Sequence, residues 1–139
     1  TLLLPEFLSE QAYTLMMEEP IVKETVQLYD DANIVIHGIG TASEMGKRRK
    51  MSEEDNAQLV DKGAVGEAFG YYFDAMGNVV YRIQTVGIQI EQVKKSELIL
   101  AIAGGKSKAM AIEAYFKIAA KHTVLITDEG AADEILSKL

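Results

Sequence analysis

The sequence predicts an α/β fold: a mainly parallel sheet with flanking helices and one β-hairpin. Three observations carry this reading. Short apolar runs at Ile34–Ile36, Leu98–Ala103 and Val124–Ile126 are each followed by a glycine or a capping residue and then by a helical pattern. An aromatic run, Tyr71-Tyr72-Phe73, meets the turn residues Asp74-Ala75-Met76-Gly77-Asn78 and returns as Val79-Val80-Tyr81, the signature of a hairpin. The chain has 139 residues, 48% hydrophobic and 25% charged, which fits one globular domain.

The elements follow in order. Ser9 is placed to cap a helix through Met17, with Ala12, Leu15 and Met16 on one face. Pro20 suits the first turn of a second helix, whose Val22, Val26 and Tyr29 recur at helical spacing up to Asp30-Asp31. The strand Ile34–His37 then runs into Gly38-Ile39-Gly40. Thr41 and Ser43 are candidate caps for a helix carrying Gly46-Lys47-Arg48-Arg49-Lys50, and Ser52 caps a polar helix over 53–61. Gly63 to Phe73 reads as a glycine-rich stretch becoming a strand, and Thr85–Ile90 as another β-rich piece. The entirely apolar run Leu98–Ala103 predicts a strand covered on both faces. A helix over 107–120 presents Ala111, Ile112, Tyr115, Phe116 and Ala119 as its core stripe. Thr123–Thr127 is a last strand, and Asp128 caps a final helix with Ala131, Ala132, Ile135 and Leu136 facing inward.

Chemistry concentrates at the turn Gly104-Gly105-Lys106-Ser107-Lys108. Glycines let the backbone approach a ligand, and the following helix offers unpaired N–H groups and a positive dipole end. The turn therefore reads either as a cradle for a phosphate or as a close-packed strand-to-helix junction. Neither the P-loop nor the dinucleotide glycine spacing is present. With a formal charge of −7 the chain has no basic face for gripping DNA by itself, so a polyanionic ligand requires local cations. Arginine is scarce, and Arg48 and Arg49 carry the planar guanidinium suited to phosphate oxygens. Glu67, among small and apolar residues, needs partners or a solvated cleft.

Cysteine is absent, which removes disulfides and zinc–thiolate sites. No nucleophile elbow, paired metal-binding histidines or metal-ligand cluster is visible, so no metal, cofactor or catalytic residue is expected. His37, Glu67 and Asp128 are the candidates for any acid–base pair. No apolar run is long enough to span a membrane and the start lacks the shape of a signal peptide, so a cytoplasmic location is expected. Leu2-Leu3-Leu4 before Pro5 reads as the end of a core strand whose partners lie upstream.

Four segments in the same order, His37-Gly38-Ile39-Gly40, Glu67–Phe73, Ala103–Ala109 and Leu125–Ala132, resemble the sugar-binding effector domain of SorC-type bacterial transcriptional regulators. The resemblance implies a Rossmann-like fold similar to glucosamine-6-phosphate deaminase and ribose-5-phosphate isomerase, without their reaction. It also implies a repressor of glycolytic genes whose grip on operator DNA is relieved by a phosphorylated sugar, such as fructose 1,6-bisphosphate. On this resemblance Arg48 reaches one phosphate, Glu67 contacts sugar hydroxyls, and Lys108 with the Gly104-Gly105 backbone binds another phosphate. Arg49, Lys106 and Ser107 are supporting candidates. Residues 1–139 would then be the C-terminal part of the effector domain. The N-terminal DNA-binding domain and the first part of the effector domain would lie outside the chain, and a homo-oligomer is expected.

Overall fold

The computed structural model describes residues 8–138, so the Leu2-Leu3-Leu4 strand end lies outside the described residues. Helices α1 (Glu10–Glu18) and α2 (Pro20–Asp30) lead into β1 (Ile34–Gly38). A two-residue β2 (Gly40–Thr41) precedes α3 (Ala42–Arg48) and α4 (Glu53–Asp61). Then come β3 (Ala64–Ala68), β4 (Tyr71–Asp74), β5 (Val79–Arg82) and a single turn of helix, α5 (Ile90–Val93). The chain ends with β6 (Leu98–Ile102), a 3-10 turn over Lys106–Lys108, α6 (Ala109–Phe116), β7 (Thr123–Ile126) and α7 (Glu129–Leu136).

Capping residues set most helix starts. Ser9, Thr41, Ser52 and Asp128 each accept the backbone N–H three residues on, satisfying a donor that the helix itself leaves open. Pro20 occupies the first turn of α2, where its missing N–H costs nothing.

The strands form two sheets. One is parallel, in the order β1-β6-β7, with Ile34 opposite Leu98 and Ile99 opposite Thr123. The other is antiparallel, in the order β2-β3-β4-β5. Thus the expected hairpin β4–β5 is present, but it belongs to a larger antiparallel unit. The glycines of 63–70 hid β3 from the sequence reading. Gly66 is required inside that strand because a Cβ there would lie 2.4 Å from Cε2 of Phe73 and 2.9 Å from Cβ of Ala111. The strand passes directly beneath the Phe73 ring and α6.

Helix α6 packs on β3 and the inner face of the parallel sheet. It buries Ala111, Ile112, Ala114 and Tyr115 with Phe73, Ile39 and Ala101 in the main core. A second core gathers Leu59, Tyr72 and Ile83 under α3 and α4, and a third gathers Val35, Val93 and Ile99 beside α5. Each large side chain so buried contributes about 1.5–3 kcal/mol before conformational entropy is subtracted.

Several expectations need correction. Phe116 and Leu136, read as inward-facing, are exposed instead. Thr85–Ile90 forms no strand; residues 83–89 are a loop held by the Gln89 amide, which donates to the carbonyls of Thr85 and Gly87. Leu15 does not join a core face, because α1 buries none of its residues and Leu15 is exposed. Among the described residues, the parallel sheet is covered on one face only. Val35, Ile99 and Ala101 point into the core, whereas Ile34 (60% exposed), Ile36 (63%), Leu98, Ile102, Val124 and Ile126 line an open apolar face. An all-apolar strand does predict cover on both sides. Here the described residues supply one cover.

Candidate functional site

The carboxyl ends of β1 and β6 lie side by side, with Gly38 opposite Ile102. In open parallel sheets this edge is where ligands gather. The chain leaves β1 through Gly38-Ile39-Gly40 and turns at once into α3. Gly40 has no room for a side chain, since a Cβ would sit 2.4 Å from Cγ of Met45. The C-terminal end of α3 then projects Arg48 and Arg49 toward β3, which carries Glu67. From the other side, the turn after β6 brings Lys108. These groups, with His37, Met45 and Phe69, line one cleft of about 320 Å³, within the range of small-ligand sites.

Helix α3 is fixed from behind. The Asn56 amide donates to the carbonyls of Met51 and Ser52, both at 2.9 Å, and closes the loop between α3 and α4. A Cβ at Gly46 would lie 2.3 Å from Oδ1 of Asn56, so the two helices touch there. Tyr72 donates its hydroxyl to Sδ of Met51 at 3.3 Å. The arginines therefore stand on a pinned segment.

Glu67 is buried at 3% exposure. Its Oε1 accepts from an Arg49 guanidinium nitrogen at 2.9 Å and from the Gly70 backbone N–H at 2.6 Å. The second bond closes the turn Phe69-Gly70, in which both residues have positive φ, 58° and 84°. Three cations, Arg48, Arg49 and Lys108, face one carboxylate across the cleft. That excess favours an anionic ligand.

His37 is wedged between the rings of Phe69 (4.5 Å between centroids) and Tyr115 (5.0 Å). Its Nδ1 lies 3.0 Å from the Gly38 carbonyl oxygen, which can only accept, so Nδ1 carries the proton. Nε2 then accepts from the Tyr115 hydroxyl at 3.0 Å. Burial lowers the His37 pKa from its ordinary 6.5, against the opposing pull of the Gly38 carbonyl. Burial also pushes the Tyr115 hydroxyl up to about 12. Both ring nitrogens are engaged, with the imidazole neutral.

The glycine turn proves partly occupied by the protein itself. Asp128 accepts N–H bonds from Gly105 and Ala131, which hold its carboxyl below the usual range, and a Cβ at Gly104 would meet its Oδ2 at 2.7 Å. Gly105, at φ 99°, takes a conformation open to glycine. Lys106 turns outward to Glu134 on α7 at 3.3 Å, and Ser107 is exposed on the 3-10 turn. Among the sequence candidates, Arg48, Arg49, Glu67 and Lys108 thus meet in the cleft, and Gly104 and Gly105 shape the turn beside it. Lys106 and Ser107 do not line it. Sequence reasoning left Met45 and Phe69 out of the site. The one available signal for Phe69 was its place between Glu67 and a glycine.

Among the described residues no cluster of His, Asp or Glu could hold a metal ion, and no helix is long and apolar enough to cross a membrane.

Comparison with known proteins places this geometry in context. A family model described as "Putative sugar-binding domain" matches residues 1–137. The central glycolytic genes regulator of Bacillus subtilis is 48% identical over 135 residues, covering 97% of this chain and 39% of the relative. The transcriptional regulator LsrR of Escherichia coli is 32% identical over 130 residues, 87% of this chain and 41% of the relative. A crystal structure of a SorC family transcriptional regulator from Enterococcus faecalis superposes with a TM-score of 0.89 at 49% identity, covering 97% of this chain and 55% of that one. The chain thus spans about two fifths of the length of the curated relatives it matches. It belongs to the family of sugar-binding domains carried by SorC-type transcriptional regulators.

Proposed function

We propose that the chain is the C-terminal part of the effector-binding domain of a bacterial transcriptional repressor of glycolytic genes. A phosphorylated sugar, fructose 1,6-bisphosphate or a close relative, binds the cleft and relieves operator binding. The observation that carries this reading is the cleft itself, where Arg48, Arg49 and Lys108 stand around the buried Glu67 at the strand ends. A sugar bisphosphate has two anionic ends separated by hydroxyls. Arg48 serves one phosphate and Lys108 the other, while Glu67 accepts from hydroxyls between them. Arg49 acts through Glu67, which it neutralises and orients.

The reading includes no catalysis. An isomerase or deaminase needs a positioned acid–base pair. His37 is held neutral by burial with both ring nitrogens hydrogen-bonded, Glu67 is paired with Arg49, and Asp128 caps α7. Operator DNA is contacted through a separate N-terminal domain, and the working protein is a homo-oligomer. The open apolar face of the parallel sheet supports the division of the domain: the first part of the effector domain is its cover, as the partial coverage of the relatives suggests.

The test uses the full-length repressor on its operator. Fluorescence anisotropy of labelled DNA is followed during titration with fructose 1,6-bisphosphate, fructose 6-phosphate and inorganic phosphate. Release by the bisphosphate, with the sugar recovered unchanged, is the expected result. An operator complex indifferent to every glycolytic phosphosugar would sink the proposal, and steady conversion of the sugar would favour an enzyme.

A further inference from the structure

One cleft residue adopts a backbone conformation that its side chain disfavours. Phe69 and Gly70 form the two-residue turn between β3 and β4, with Ala68 opposite Tyr71. Positive φ at both positions is the geometry of a tight hairpin, where asparagine and glycine are the usual pair. Gly70 conforms. Phe69, at φ 58°, is an aromatic residue in the left-handed region, which bulky side chains rarely enter.

The turn alone gives no reason for an aromatic residue, since asparagine would close it with less strain. The surroundings supply the reason. The Phe69 side chain packs against two of the hydrophobic cores, and its ring lies tilted against His37 with 4.5 Å between centroids. Phe69 is half-buried and lines the cleft together with Glu67 and Lys108. Strain of this kind persists where surrounding structure holds it and clusters at ligand sites.

We infer that Phe69 is a specificity-determining residue: its ring, fixed by the strained turn, forms the apolar wall that receives the C–H face of a sugar. This rests on the reading of the cleft as a phosphosugar site and deepens it. The cations recognise phosphate whatever carries it. The ring adds a requirement for the carbon skeleton between the phosphates, because an apolar wall rewards burial of C–H groups.

The experiment compares the full-length protein with Phe69→Leu and Phe69→Asn. Leucine keeps an apolar anchor and removes the ring. Asparagine relieves the turn and removes both. Calorimetric titration with fructose 1,6-bisphosphate is expected to show affinity about tenfold weaker in both variants, a difference well within measurement. Proton NMR of the sugar is expected to show ring-current upfield shifts in the wild-type complex that vanish with Phe69→Leu. Unchanged affinity in both variants, or the same proton shifts with leucine as with phenylalanine, would overturn the inference. If asparagine prevents folding, the leucine variant alone decides. A wild-type protein that binds no phosphosugar would instead refute the functional reading on which this rests.

Discussion

The guanidinium of Arg49 lies 2.9 Å from Oε1 of Glu67, with the two side chains only 11% and 4% exposed. Two charges so far from water stabilise a fold only together. Removing one leaves the other uncompensated, at a cost of about 3–5 kcal/mol. Arg49→Met is therefore expected to lower the unfolding free energy from urea titration by an amount in that range, because the Glu67 carboxylate would stay buried without the guanidinium charge that offsets it. A loss below about 1 kcal/mol, the level of exposed pairs, would show that water reaches this carboxylate.

Arg48 and Lys108 are expected to matter for binding far more than for stability. A hydrogen bond to a charged group contributes about 1.5–3 kcal/mol, so Arg48→Ala and Lys108→Ala should each weaken fructose 1,6-bisphosphate by roughly ten- to a hundredfold. Lys106→Ala is the internal control, since that side chain points to Glu134. Its affinity should stay within about twofold of wild type, below 0.5 kcal/mol. Isothermal titration of the three variants checks both statements, and an equal loss in all three would contradict the placement of Lys106.

The pH dependence follows from His37. Its pKa in the folded chain is below the ordinary 6.5 because burial disfavours the charged ring. The unfolded chain thus binds this proton more readily, so the associated stability is complete above pH 6.5 and is lost as pH falls through the folded value. Urea midpoints should decline on acidification from about pH 7 to 5, the range of an ordinary histidine. The decline should be shallower in His37→Gln. Parallel profiles for the two proteins would remove His37 as the cause.

The bare sheet face offers a test of the domain reading. Ile36 is exposed in this chain, so Ile36→Asp should change its stability by about 0.5 kcal/mol or less, as surface substitutions do. In the longer effector domain proposed above, the same substitution should cost several times more, since a covered face would bury an unpaired carboxylate. Equal effects in the two would mean that the face stays open in the longer protein.

How much of this was legible in the sequence depended on the range of the forces involved. Helix caps act within three residues, so Ser9, Thr41, Ser52 and Asp128 were readable directly. The parallel strands announced themselves through apolar runs. Strand β3 did not, because its glycine is dictated by Phe73 and Ala111, which are distant in sequence. At the site, charge and glycine spacing pointed to residues of which the fold brings Arg48, Arg49, Glu67 and Lys108 to one cleft. They could not reveal that Lys106 is drawn away by Glu134, or that Asp128 already occupies an amide of the glycine turn. Such competition between partners is decided by the fold. Phe69 escaped notice for a related reason, as its backbone strain leaves no mark in composition.

Asn33 and Glu97, which hydrogen bond at 3.1 Å just before β1 and β6, are 64 residues apart in sequence. Joining these neighbouring strands closes a loop whose entropy costs on the order of 4 kcal/mol, whereas the β3–β4–β5 meander within it needs only short turns. Local pairing should therefore come early in folding and the β1–β6 seam late. The cleft straddles that seam, taking Arg48 and Glu67 from the excursion and Lys108 from the far side. A ligand there engages contacts that the transition state lacks. Its signature should be a slower escape from the native state, with the rate of folding almost untouched.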